Sequence, residues 1–152
     1  EWNYQHSLQW HVLEYPNHTG ISQTVKDLNK LYRTEPALYE REFDSAGFEW
    51  IDGGNANDSV LAYLRRGNNA DDDILVVLNM TPVVRYQRVG VPAAGEWEEI
   101  FNSDLEKYWG SGVGNAKPVP SEKEHWHGQD NSIQITLPPL AALMFRRRTI
   151  SA

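Results

Sequence analysis

Glu96-Trp97-Glu98-Glu99 is the first segment of this chain where acid–base chemistry can be tested, because paired carboxylates can divide general-acid and general-base roles. In an extended segment Glu96 and Glu98 share one face and Glu99 takes the other. Nothing beside them in sequence would hold one carboxyl protonated, so the spacing predicts solvated strand residues. Asp71-Asp72-Asp73 follows Gly67-Asn68-Asn69 and reads as a polar hairpin loop whose like charges are relieved by water. His125 and His127 would share a face if extended, and two imidazoles can begin a zinc site. With no HExxH helix to supply further ligands, a surface or packed pair is expected. His6, His11 and His18 lack regular metal spacing. Gly110-Ser111-Gly112-Val113-Gly114 has the glycine density of a phosphate cradle, but Asn115-Ala116-Lys117-Pro118 follows where a cradle needs a helix start. No GxSxG elbow is present. None of these sets is expected to be catalytic or to bind a metal.

Six Trp, seven Tyr and four Phe leave another chemistry open. Sugar rings have apolar C–H faces that lie flat on indole or phenol, so exposed rings can build a glucan groove. The candidates are Trp2, Trp10, Trp97, Trp109 and Trp126. Trp97 lies in a strand and is expected in the core. Trp2, in irregular chain between Glu1 and Asn3, is the favoured ligand contact, followed by Trp109 and Trp126 in a long loop. The net charge of −7 disfavours nucleic acid as a partner, because phosphate binding needs clustered Lys and Arg. Arg146-Arg147-Arg148 is the one basic run, and is expected to be a solvated end after the last strand. The chain has no cysteine, which excludes disulfides and agrees with a cytoplasmic location. No apolar stretch approaches the roughly 20 residues needed to cross a bilayer.

Among the elements that would position these residues, the leader of residues 1–16 is irregular and ends at Pro16. Ile21, Val25, Leu28, Leu31 and Tyr32 recur at helical spacing and predict a helix over about 19–33, with Ser22, Gln23, Lys26, Asp27 and Lys30 on its other side. Pro36 suits the first turn of a second helix running to about Glu42, with Thr34 as a candidate cap and Leu38 facing inward. After Asp44-Ser45-Ala46-Gly47 the period turns strand-like. Ile74-Leu75-Val76-Val77-Leu78 is the expected central strand, buried on both faces. Strands are expected also over 48–51, 60–65, 85–91, 96–101, 132–137 and 140–146, with a long functional or packed loop at 103–131. These elements predict a mainly β protein: residues 1–43 form a helical appendage to a body outside this sequence, and residues 44–152 an antiparallel β-sandwich of roughly seven or eight strands.

Several strings taken together resemble one family. Glu1-Trp2-Asn3, Leu8-Gln9-Trp10, Asp27-Leu28-Asn29-Lys30-Leu31-Tyr32-Arg33, Pro36-Ala37-Leu38-Tyr39 and Gly47-Phe48-Glu49-Trp50-Ile51 resemble the end of the catalytic barrel of bacterial glycogen branching enzymes. Asn79-Met80-Thr81-Pro82, Val89-Gly90-Val91-Pro92, the run Gly95 to Asp104, Gly110 to Asn115 and Leu137-Pro138-Pro139-Leu140-Ala141 resemble that family's C-terminal domain. The likeness covers nearly the whole chain. It departs at Met80, where the family often has an aromatic, and at Lys107-Tyr108-Trp109, where glycine-rich spellings are common.

The resemblance implies a (β/α)8 barrel of the α-amylase superfamily followed by a C-terminal β-sandwich. It implies cleavage of an α-1,4-glucan and transfer of the segment to a 6-hydroxyl, in a retaining mechanism with an Asp nucleophile, a Glu acid/base and a second Asp that aids the transition state. It also implies no metal or organic cofactor. The three family carboxylates precede the segment equivalent to Glu1, so the chain is expected to be a C-terminal piece without branching activity. By the same resemblance residues 1–3 belong to the loop after the last barrel strand, on the face where barrel active sites open. Trp2 is then the substrate-side residue, with Glu1 and Asn3 beside it. Two other readings are a glucan-binding or purely structural sandwich, and the tail of a debranching or trehalose-chain hydrolysing relative. Helix 19–33 is expected to expose apolar surface where barrel neighbours would lie.

Overall fold

The computed structural model describes residues 3–148. Pro16 does not close the leader; it opens α1 (Pro16–Thr34), because a proline at the first helical position loses a hydrogen bond that no helix start makes. A 3-10 turn, Trp10–Glu14, precedes it. Glu35 breaks the helix in extended geometry, and α2 (Pro36–Tyr39) is a single turn shorter than the spacing predicts. Thr34 does not cap α2. Its hydroxyl donates back to the Lys30 carbonyl at 3.0 Å.

Eight strands follow: β1 (Phe48–Asn55), β2 (Val60–Arg65), β3 (Ile74–Asn79), β4 (Arg85–Val91), β5 (Glu96–Asn102), β6 (Val119–Pro120), β7 (Asn131–Leu137) and β8 (Ala141–Arg147). All pair antiparallel, in a six-stranded sheet ordered β1-β2-β3-β8-β5-β6 and a two-stranded sheet β4-β7. The expected buried run is β3, in the interior of the larger sheet, with five of its six residues buried. A register shift between Glu99 and Phe101 bulges β5, which lets Glu98 and Glu99 both line one cleft beside α1. The strict alternation predicted for these glutamates is interrupted there.

Period-two alternation sends one side of each strand into the space between the sheets. Val60, Ala62, Leu64, Leu75, Val77, Trp97, Leu143 and Phe145 of the larger sheet meet Val89, Val91, Ile133, Ile135 and Leu137 of the smaller. Each large side chain fully buried there contributes roughly 2 kcal/mol. The outer face of the larger sheet is apolar as well. Ile74 and Val76 pack with the fully buried Ala37 of α2, flanked by Leu38, Tyr63, Leu78, Ile100 and Met144.

The two charge clusters differ from expectation. Arg146 and Arg147 lie in β8 and are paired: Arg146 donates to Glu35 at 3.0 Å, and Arg147 contacts Asp71. The aspartates are not simply water-screened either. Asp73 is buried and takes Arg66 at 2.6 Å, and Arg66 also holds Glu49. Burial raises the Asp73 pKa against the pull of Arg66. Non-local pairing places these cations and anions opposite one another, and spacing along the chain does not encode it.

Candidate functional site

The helix meets the sandwich with its polar side. Gly20 and Asp27 of α1 face the 3-10 turn Glu106–Tyr108 in the long loop; a Cβ on Gly20 would lie 2.7 Å from the Tyr108 carbonyl group. Tyr108 Oη donates to Asp27 Oδ2 at 2.6 Å and Lys107 Nζ donates to it at 2.9 Å, while Gln23 Nε2 reaches Oδ1 at 2.9 Å. The Tyr108 hydrogen bond, then that from Lys107, lowers the Asp27 pKa from 3.8 to about 2. Because the folded value is depressed, this contribution is complete above pH 3.8 and is lost as the pH falls through about 2. Asp27→Asn should therefore flatten the fall of the urea midpoint between those two pH values; equal slopes for parent and variant would refute the linkage.

With that side used, Ile21, Val25 and Tyr32 of the apolar stripe point away, while Leu28 and Leu31 are half-buried. Ile21 is 65% exposed and Val25 52%, and Tyr32 and Tyr39 continue the stripe with ring centroids 6.5 Å apart.

Glu1 and Trp2 lie outside the described residues. Asn3 is exposed, and its Oδ1 accepts the Gln5 amide at 3.0 Å. Trp10 is exposed at the start of its 3-10 turn. Trp97 is core, with Nε1 donating to the Ala93 carbonyl at 3.3 Å. Trp109 and Trp126 are both partly exposed, on separate parts of the loop. Trp126 belongs to a hairpin turned by His127 and Gly128, both at positive φ, and seated on Gly90 of β4. That turn separates the two histidines. His125 stands 3.7 Å from Asp130, and His127, half-buried with its pKa lowered by desolvation, lies 3.5 Å from Asp52. Among the described residues no three His, Cys, Asp or Glu side chains form a metal-sized group.

An aromatic trio that sequence reasoning missed stands on edge strand β1 and its neighbour β2. Phe48 and Trp50 occupy alternate positions on the outer face, and Tyr63 sits directly across from Trp50. Ring centroids are 5.0 Å apart for Phe48–Trp50, 5.2 Å for Phe48–Tyr63 and 6.0 Å for Trp50–Tyr63. Trp50 remains 56% exposed, and glycine at 53 lets its indole lie against the strand, where a Cβ would come within 3.3 Å. Phe48 and Trp50 at i and i+2 were a visible signal; Tyr63 needed the cross-strand register. The trio offers apolar rings with no nucleophile or acid among them, which suits binding rather than bond breaking.

A family model described as the alpha amylase C-terminal all-beta domain matches residues 50–148. The chain belongs to this family. The match starts at Trp50 and spans the rest of β1 through β8, so the all-beta domain is the sandwich. The domain with its helices is 49% identical over 147 residues to the 1,4-alpha-glucan branching enzyme GlgB of Aquifex aeolicus (strain VF5), covering 96% of this chain and 23% of the relative. Against the enzyme of the same name from Rubrobacter xylanophilus it is 47% identical over 151 residues, covering 99% and 21%. Against that of Cereibacter sphaeroides it is 49% identical over 144 residues, covering 94% and 20%. The chain thus spans between a fifth and a quarter of the length of these curated relatives. No helix among the described residues is long and apolar enough to cross a membrane.

Proposed function

We propose that this chain is the C-terminal segment of a bacterial glycogen branching enzyme, with residues 1–43 closing a (β/α)8 barrel and residues 44–152 forming the sandwich behind it. The observation that carries the proposal is the match to enzymes named for α-glucan branching over 94–99% of this chain. Those names favour branching over the debranching and trehalose-chain alternatives. The assembled enzyme acts in the cytoplasm on α-1,4-glucan, transferring a cleaved segment to a 6-hydroxyl by a retaining mechanism. Nucleophile and acid/base come from the barrel, no cofactor enters, and neither nucleic acid nor membrane is a partner. Residues 1–3 then sit on the substrate side, Trp2 as a ring contact and Glu1 and Asn3 as its polar neighbours. The exposed stripe Ile21, Val25 and Tyr32 supports this reading, since barrel strands would cover it. The experiment is the iodine-complex spectrum of amylose, comparing the chain alone with the chain joined to the rest of a relative.

A second reading rests on the Phe48–Trp50–Tyr63 rings: the sandwich itself holds glucan on its outer face. Trp50→Ala should weaken retardation in glycogen-containing native gels by roughly tenfold in apparent affinity. Its thermal midpoint should shift by only a few degrees, roughly, because the ring is largely exposed. Equal retardation of parent and variant rules the platform out.

A further inference from the structure

Trp109 occupies a position that packing does not explain. It ends the 3-10 turn Glu106–Tyr108 in left-handed geometry, φ 73° and ψ 22°, a conformation that bulky residues rarely adopt. The turn sends neighbouring Tyr108 inward against Phe101 and throws the indole outward, where it is 57% exposed. The backbone beneath it is built from both sides. The Trp109 amide donates to the Glu106 carbonyl at 2.9 Å, and Gly20 of α1 admits Tyr108 and Trp109 at a distance no side chain would allow. Asp104 ties the far side of the turn, accepting the Ser111 amide at 3.0 Å, the Ser111 hydroxyl at 2.6 Å and the Val113 amide at 3.1 Å. A turn held this way loses little backbone freedom when a ligand lies on the ring it presents.

The indole walls a cleft of about 380 Å³ between α1 and the loop, lined also by Glu14, Thr19, Glu106 and Lys107. That volume falls in the range of small-molecule clefts, roughly 300–1,000 Å³. Glu14, Glu106 and the Thr19 hydroxyl, whose own proton goes to the Leu13 carbonyl at 2.6 Å, can accept hydrogen bonds from hydroxyls, Lys107 can donate the ammonium protons that Asp27 leaves free, and the indole offers a flat apolar face. Charges of both signs disfavour an ionic ligand and suit a neutral, polyhydroxylated one. The strand order puts β1, with its aromatic trio, four positions from β5, which leads into this loop, a separation of roughly 19 Å. The two surfaces are therefore distinct.

We infer that the Trp109 cleft is a second α-glucan subsite, seated where the leader runs into α1; this rests on the reading of α-glucan as the ligand. Maltoheptaose is the probe and the 152-residue chain the sample. Trp109→Gly is the informative variant, because glycine accepts the left-handed backbone and removes only the ring. In a ¹H–¹⁵N titration, the Trp109 indole resonance, identified by its absence from the variant, should shift on adding maltoheptaose. Trp109→Gly should also weaken gel retardation in glycogen by roughly fivefold with an unchanged thermal midpoint. A static Trp109 resonance, or retardation of Trp109→Gly equal to the parent, overturns the inference. If Trp50→Ala alone weakens binding, the subsite fails and the platform stands. If Trp109→Gly alone does so, the subsite stands and the platform fails. A parent chain that neither shifts nor is retarded refutes both.

Discussion

Incubated alone with amylose, the 152-residue chain should leave the iodine-complex spectrum unchanged, whereas the same chain joined to the rest of a branching-enzyme relative should shift it. Retaining transfer between glucans needs two carboxyl groups about 5–5.5 Å apart, one nucleophilic and one protonated. The carboxylates described here serve other ends. Glu35 and Asp71 pair with Arg146 and Arg147, Glu49 and Asp73 with Arg66, and Asp58 with Arg85. Glu99 accepts from Asn102 and Asn115. Carboxylates occupied by such ion pairs and hydrogen bonds are not free to flank a glycosidic bond. The expected loss relative to the joined protein is therefore complete within detection. Branching by the chain alone would remove the proposal that its chemistry lies elsewhere.

Asn79→Ala should be the most damaging of the polar substitutions, costing about 3 kcal/mol and lowering the thermal midpoint by about 10 °C. Asn79 ends β3 with 1% of its surface exposed. Its Nδ2 donates to the Val83 and Pro138 carbonyls, each at 2.8 Å, and its Oδ1 accepts the Thr81 amide at 3.0 Å and the Thr81 hydroxyl at 2.7 Å. One side chain thus fastens the turn after β3 to the turn before β8. Truncation strands the buried Pro138 carbonyl together with the part-buried Val83 carbonyl and Thr81 amide, and the cost of leaving such groups unpaired exceeds the value of any one bond. Calorimetry of the variant is the check; a midpoint within about 2 °C of the parent would show that water replaces the amide. This network gives a physical reason for Asn79-Met80-Thr81-Pro82 as a recognisable string. Asn79 and Thr81 carry the bonds, while Met80 is 55% exposed and free to vary.

Much of the sandwich was legible because strands announce themselves by period. Ile74 to Leu78 has apolar side chains on both faces, which only an interior strand with covered sides can bury, and β3 is that strand. Trp97 was placed in the core by its position in a strand, and it is 1% exposed. Residues at element ends were harder. Pro16 has the same local signature whether it ends a loop or starts a helix, and it stands at the first position of α1. Of the site, Phe48 and Trp50 were readable as a pair on one face. Tyr63 was not, because its place opposite Trp50 depends on a register across a turn with two irregularities in β1.

The amino-acid sequence by itself determined which residues share a face: the apolar stripe Ile21, Val25, Leu28, Leu31 and Tyr32, the inward alternation of the strands, and the strings that place the chain in its family. Only the tertiary structure decided which face finds a partner. It seated α1 through Gly20 and Asp27, half-burying Leu28 and Leu31, and left Ile21, Val25 and Tyr32 open. It buried Trp97 while exposing Trp50 and Trp109, and it set Arg146 and Arg147 against Glu35 and Asp71. The reason is that helix and strand periods are local properties of the backbone, whereas a partner is chosen by contacts between residues tens of positions apart.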